Sequence, residues 1–221
     1  EPHRYREGLN PPRRKGHLDA ALPKASKVAP VRHHAAVEVK DVPSFMKRLR
    51  SQGGVGAQAL EFAVLTAARS GEVRGATWSE VDMRAALWTI PAARMKSGRE
   101  HRVPLSKPAM QLLRHLPGDR LPEDHVFPGM RGPLSDMSLT AVLRRMGVPA
   151  TAHGFRSTFR DWVSECTEHS GEVAEMALSH AIGNKVEAAY RRGDLLEKRV
   201  PLMADWAVFL AGPRQAVRDG A

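Results

Sequence analysis

A helical period recurs along this chain, while a strand period is confined to one stretch. Leu60, Ala63, Val64 and Ala67 fall at i, i+3, i+4 and i+7. Leu139, Val142, Leu143 and Met146 repeat the pattern, as do Met203, Trp206, Ala207 and Leu210. Phe155, Phe159, Trp162, Val163 and Cys166 mark a longer face of the same kind. Each stripe needs another element to cover it, so several helices must pack together. Strand-like alternation is found in "ALWTIPAARM" and "REHRVPLS", joined by "KSGR", which reads as a hairpin with a basic tip at Gly98. The expected fold is mainly α with a small antiparallel β-sheet.

Further helix signals fit this frame. Asp41 can cap "VPSFMKRLRS", and Pro108 suits the first turn of "SKPAMQLLRHLP". "LPEDHVFPGMRGP" reads as loop, and Pro201 is expected to kink the last helix or set its first turn. Residues 1–34 are rich in Pro and basic side chains without sustained periodicity, as in a linker or the remnant of a preceding domain. The folded body is expected over 35–212, with 213–221 a flexible tail. The chain does not begin with Met and reads as a fragment of a longer protein.

Charge narrows the partner. Lys and Arg outnumber Asp and Glu by 34 to 24, a net charge of +10. Such a surplus repels itself unless it meets a polyanion, which points to nucleic acid or an anionic membrane. No apolar run approaches the roughly 20 residues that span a bilayer. One cysteine, Cys166, excludes an intramolecular disulfide and cysteine zinc sites, and fits a reducing cytoplasm. The ten histidines form no HExxH pattern, no acidic triad for Mg²⁺ is apparent, and no metal or cofactor is expected.

Four stretches carry candidate chemistry. "ARSGEVRGATW" places Arg69 at a helix end, with Gly71 allowing a turn and Glu72 able to hold nearby groups. Arg74 competes with Arg69 but falls on the side of the turn expected to be more exposed. "RMKSGREHR" puts Lys96 at the hairpin tip. "HGFRSTFRDW" sets His153 and Arg156 three apart at a helix start, where free N–H groups also favour phosphate. "LSHAIGNKVEAAYRR" carries His180 and, ten residues on, Tyr190, one of two tyrosines in the chain. Each stretch alone has a plain structural alternative: a cap, a helix-end charge, a turn lysine, a half-buried phenol. Together they supply what a phosphodiester transition state needs. Arg69 and Arg156 offer cations to the non-bridging oxygens, Lys96 an acid with His153 and His180 assisting, and Tyr190 a nucleophile.

This ordered set resembles the catalytic domain of tyrosine recombinases, the phage integrase family. "ARSGEVRGATWSEVD" looks like the family's first arginine box, and "ARMKSGREHRVPLS" like its β-hairpin lysine segment. "HGFRSTFRDW" resembles its His-x-x-Arg box, and "LSHAIGNKVEAAYRRGDLLEKR" its final His-to-Tyr box. The wording is closest to prophage and genomic-island integrases of the satellite-phage type. Many members read Leu-Gly-His where this chain has Leu178-Ser179-His180.

The resemblance implies a site-specific recombinase that integrates or excises a mobile element through a 3′-phosphotyrosyl intermediate, without metal or ATP. It implies Arg69, Lys96, His153, Arg156, His180 and the nucleophile Tyr190 as catalytic residues, with Glu72 in support. Arg94, Arg99, Arg191 and Arg192 are expected to contact DNA. The expected partner is double-stranded attachment-site DNA in a synaptic homotetramer, with accessory DNA-bending or excisionase proteins and no membrane. The isolated fragment is expected to be monomeric, and the enzyme to work in the bacterial cytoplasm on the nucleoid. The apolar face around Trp206 is expected either to pack on its own domain or to dock on a neighbouring protomer. A type IB topoisomerase and a non-catalytic DNA-binding module are the competing readings. A covalent DNA adduct separates the second from both enzymes, and relaxation of plasmids lacking a recombination site separates the first from an integrase.

Overall fold

The computed structural model describes residues 35–180 and 193–213. The chain divides between His33 and His34, and every element below belongs to the part that follows. Helix α1, Val42–Arg50, buries Val42, Phe45, Met46 and Leu49 along one stripe. Asp41 occupies its N-cap position but makes no side-chain cap bond. Its backbone is already helical (φ −92°, ψ −12°) because it ends a 3-10 turn, whereas a capping side chain needs an extended residue.

Helix α2, Val55–Thr66, is the centre of the core. Its buried residues include Ala57, Ala59, Leu60, Phe62, Val64 and Leu65, so it is covered on nearly all sides rather than along the single expected stripe. Phe62 meets Trp88 at 5.3 Å and Phe127 at 5.4 Å between ring centroids. The helix stops at Ala67, which adopts the left-handed conformation with φ 51°. That residue, not Gly71, makes the sharp turn; Gly71 lies within the short helix α3, Ser70–Arg74.

Three strands form an antiparallel sheet in the order β1 (Val81–Asp82), β2 (Leu87–Ile90), β3 (His101–Pro104). Trp88 pairs with Val103 and Ile90 with His101, and all four are buried. The connection from β2 to β3 is longer than expected. Pro91 has no N–H to extend the ladder, Ala92–Arg94 coil into a 3-10 turn, and Gly98 at φ 65° turns the chain back. Helix α4, Lys107–His115, follows with Pro108 in its first turn. Within the expected loop, Pro128–Gly129 (β4) and Gly132–Pro133 (β5) pair as a minimal hairpin. Helix α5, Ser138–Arg145, buries Leu139, Val142 and Leu143.

Helix α6, Gly154–Cys166, buries Phe155, Phe159, Trp162 and Val163. Cys166, expected on that face, is exposed, because it ends the helix and Thr167 leaves in an extended conformation. Helix α7, Gly171–Ala177, leads to His180. Helix α8, Leu196–Ala211, packs on its own domain. Trp206 is fully buried against Phe159, Trp162 and Phe209, and its indole N–H donates to Val64 O at 2.8 Å. Pro201 lies inside α8 rather than at its start.

Candidate active site

Three backbone carbonyls at the end of α7 gather side chains from three different elements. Ala177 O bonds His101 Nε2 from β3 at 3.2 Å, and Leu178 O accepts from Arg156 Nη2 of α6 at 2.6 Å. Ser179 O accepts from Arg69 Nη2 at 3.2 Å. A helix C-terminus leaves such carbonyls without intrahelical donors and carries partial negative charge, so cationic donors are well placed there. Ser179 takes the left-handed conformation, φ 49°, which turns the chain out of the helix.

Arg69 is held at both ends. As the residue before α3, it donates its backbone N–H to Glu72 Oε2 at 2.9 Å. Its Nη1 donates to the buried carboxylate's other oxygen at 2.8 Å. Arg156 is only 4% exposed, and its Nη1 donates to Ala67 O at 2.5 Å. The left-handed turn at Ala67 thus lies under one arginine and two residues before the other. Burial pushes the Arg156 guanidinium down to about 10, and the neighbouring charge of Arg69 adds to this. It stays cationic at neutral pH. Its Nη2 also reaches His180 Nε2 at 3.1 Å, and His180 Nδ1 lies 2.7 Å from Glu175 Oε2.

Arg69, Glu72, Arg156 and His180 are therefore brought together. His153 sits exposed at the N-terminus of α6, three residues before Arg156. Gly154 between them lets the chain at Ala35 cross the helix end, for an added Cβ would lie 2.1 Å from Ala35 O. Lys96 and Arg99 are exposed on the connection between β2 and β3. Tyr190, Arg191 and Arg192 lie outside the described residues.

Two arginines differ from expectation. Arg94, expected on DNA, turns inward. It donates to Gly75 O at 2.5 Å and to Glu72 O, and pairs with Glu80 at 3.0 Å, so its N–H groups are committed to bracing α3. Arg74 is no more exposed than Arg69, at 19% against 22%. It is removed from the cluster by direction, since it bonds Leu134 O and Asp136 instead.

Sequence reasoning passed over Glu175, Arg160, His101 and the pair Asp194 and Arg199. His101 is buried, and burial first, then the charge of Arg199, lowers its imidazole to about 4. It is neutral, so the bond to Ala177 O requires the proton on Nε2. Asp194 accepts from Arg102 Nε at 2.9 Å, Arg102 Nη2 at 2.7 Å and Arg199 Nη2 at 2.7 Å. This ties the chain four residues after Tyr190 to β3. Among the described residues, no group of three or more His, Cys, Asp or Glu could hold a metal ion, and no helix is long and apolar enough to cross a membrane.

The chain is similar to known proteins over most of its length. Prophage integrase IntZ of Escherichia coli K12 is 34% identical over 180 residues, covering 79% of this chain and 44% of the relative. The integrase of Enterobacteria phage P4 is 34% identical over 201 residues, covering 81% of this chain and 46% of that protein. The chain thus spans less than half the length of these relatives. Among solved structures, the integrase from mycobacterium phage Brujita shares the fold, with a TM-score of 0.62 and 21% identity over 86% of this chain and 63% of that one. The model of the phage integrase family matches residues 36–195, which reach from the segment ahead of α1 to just past the Asp194 anchor, and the chain belongs to that family.

Proposed function

We propose that residues 35–212 are the catalytic domain of a site-specific DNA recombinase that cuts and rejoins strands through a 3′-phosphotyrosyl link. The observation that carries this reading is the convergence of Arg69 and Arg156 on the end of α7 beside His180, which stands ten residues ahead of Tyr190 in the sequence. Two buried or half-buried guanidiniums beside an imidazole form a preorganised site for the non-bridging oxygens of a phosphodiester.

In the reaction, the Tyr190 oxygen attacks phosphorus and the bond to the 5′ oxygen breaks. Lys96, from its exposed loop, gives that oxygen a proton, and His153 and His180 assist proton movement. One phosphorus–oxygen bond replaces another, so the reverse attack by a strand's 5′-hydroxyl needs neither ATP nor, on this reading, a metal. Arg99, Arg191 and Arg192 are the proposed DNA contacts. Residues 1–34 link to preceding DNA-binding domains, and the working assembly is a homotetramer on paired attachment sites in the bacterial cytoplasm. The names of two similar proteins, prophage integrase IntZ and the integrase of Enterobacteria phage P4, favour integration and excision of a mobile element over plasmid relaxation.

The nucleophile decides the reading. In the full-length protein, Tyr190→Phe is expected to bind attachment DNA as wild type does and to form no covalent adduct on a nicked suicide duplex, because only the hydroxyl is lost. An adduct that persists in Tyr190→Phe, seen as a retarded protein–DNA band on a denaturing gel, would remove the assignment.

A further inference from the structure

Glu175 divides its carboxylate between two donors. Oε1 accepts from Arg160 Nε at 2.5 Å, and Oε2 faces His180 Nδ1 at 2.7 Å. Burial pushes this carboxyl up, but the hydrogen bonds from Arg160 and His180 outweigh burial and hold it below the ordinary range. An ionised carboxylate can only accept, so His180 Nδ1 carries the proton. On the other side of the ring, Nε2 lies 3.1 Å from Arg156 Nη2, and a guanidinium can only donate. Nε2 therefore holds the lone pair. Both neighbours demand the same tautomer. The backbone holds the residue in place as well, since His180 N–H donates to Glu175 O at 3.0 Å.

We propose that Glu175 is a positioning residue: braced by Arg160, it fixes His180 as the Nδ1–H tautomer and presents Nε2, as proton acceptor, to the strand-cleavage site. The proposal rests on the reading of His180 as an active-site residue. Its physical content is that the imidazole's orientation and its basic nitrogen are set before DNA arrives, by a carboxylate that touches no substrate.

Glu175→Gln separates this from a packing role. Arg160 is a donor only, so it takes the amide oxygen and the amide NH₂ turns toward His180. Nδ1 must then supply a lone pair, and the ring proton is driven to Nε2, against the N–H of Arg156. In the full-length enzyme, nitrogen NMR with ¹⁵N-labelled histidine reads the tautomer directly. Nδ1 protonation is expected in the wild type and Nε2 protonation in E175Q. Single-turnover cleavage of a nicked duplex carrying the junction sequence of the mobile element should fall on the order of 10²-fold in E175Q. DNA affinity should not change.

Glu175→Ala, which frees the ring, should show mixed tautomers and a comparable loss. E175Q/H180A should cleave no more slowly than H180A, because the carboxylate acts only through the ring. A carboxylate that served only packing would tolerate the amide. An unchanged tautomer in both Glu175 variants, or cleavage by both within about threefold of wild type, overturns the proposal. If H180A itself cleaves at the wild-type rate, the active-site reading of His180 falls while the tautomer result stands, so the two failures are distinguishable.

Discussion

Gly154 and Gly171 both lie at helix starts, yet their surroundings differ sharply. A Cβ on Gly154 would stand 2.1 Å from Ala35 O, and the obstacle is backbone, which cannot rotate away. A Cβ on Gly171 would meet nothing within 4 Å. Gly154→Ala is therefore expected to destabilise the protein by about 1–3 kcal/mol, the usual cost of overpacking, and to disturb His153 and Arg156 on either side. Gly171→Ala should be neutral or stabilising by about 0.4–1 kcal/mol, since it restricts the unfolded chain only. Urea unfolding of the two variants side by side checks the contrast, and equal midpoints would contradict it. Ser179 illustrates a related point. Its φ of 49° lies in the left-handed region that favours glycine, and its carbonyl is held by Arg69.

At the scale of elements, His101 fastens β3 to the end of α7, across 76 residues of sequence. Its imidazole titrates near 4 in the fold against an ordinary value of 6.5, because burial opposes the charged form. Below about pH 6.5 the unfolded chain takes up a proton that the folded one refuses. The stability tied to this residue is complete above pH 6.5 and is lost as pH falls toward 4. Between pH 7 and 5 the loss should be on the order of 2 kcal/mol. His101→Gln can still donate to Ala177 O but does not titrate, so its acid limb should be flatter. Parallel acid limbs in denaturant titrations of the two proteins would place the pH dependence elsewhere.

The same element shows why part of the site was legible in the sequence and part was not. Arg69, Arg156 and His180 lie in short segments whose residue types and spacing mark them, and the structure brings all three together. Glu175, Arg160 and His101 have no such mark. Their roles arise only when α6, α7 and β3 meet, and a neutral buried histidine looks the same in sequence as an exposed one. For the fold, periodicity located most of the helices but understated α2, because a helix covered on nearly all sides has no polar face to define a stripe. It also overextended the hairpin, where Pro91 ends the strand.

Taken as a whole, the molecule is closed by its own last helix. Leu202, Met203, Trp206 and Leu210 of α8 are all buried in the common core. At about 1.5–3 kcal/mol for each large side chain, their sum is comparable to the roughly 5–15 kcal/mol that keeps a domain folded. Deleting residues 201–221 should thus abolish the cooperative thermal transition. A truncated protein that melts cooperatively near the wild-type temperature would mean that α8 is dispensable to the monomer and free to serve a neighbour.

The anchor at Asp194 also acts as a leash. A salt-bridged carboxylate, gripped by Arg102 and by the buried Arg199, ties down one residue while Tyr190 stands four positions upstream. Four residues span at most about 14 Å even when fully extended. Chain length alone therefore keeps the Tyr190 backbone within that distance of Asp194, wherever the side chain is directed. If Tyr190 is the nucleophile proposed above, a phosphate that it attacks, on its own strand site or on a neighbour's, has to be brought within that reach of Asp194.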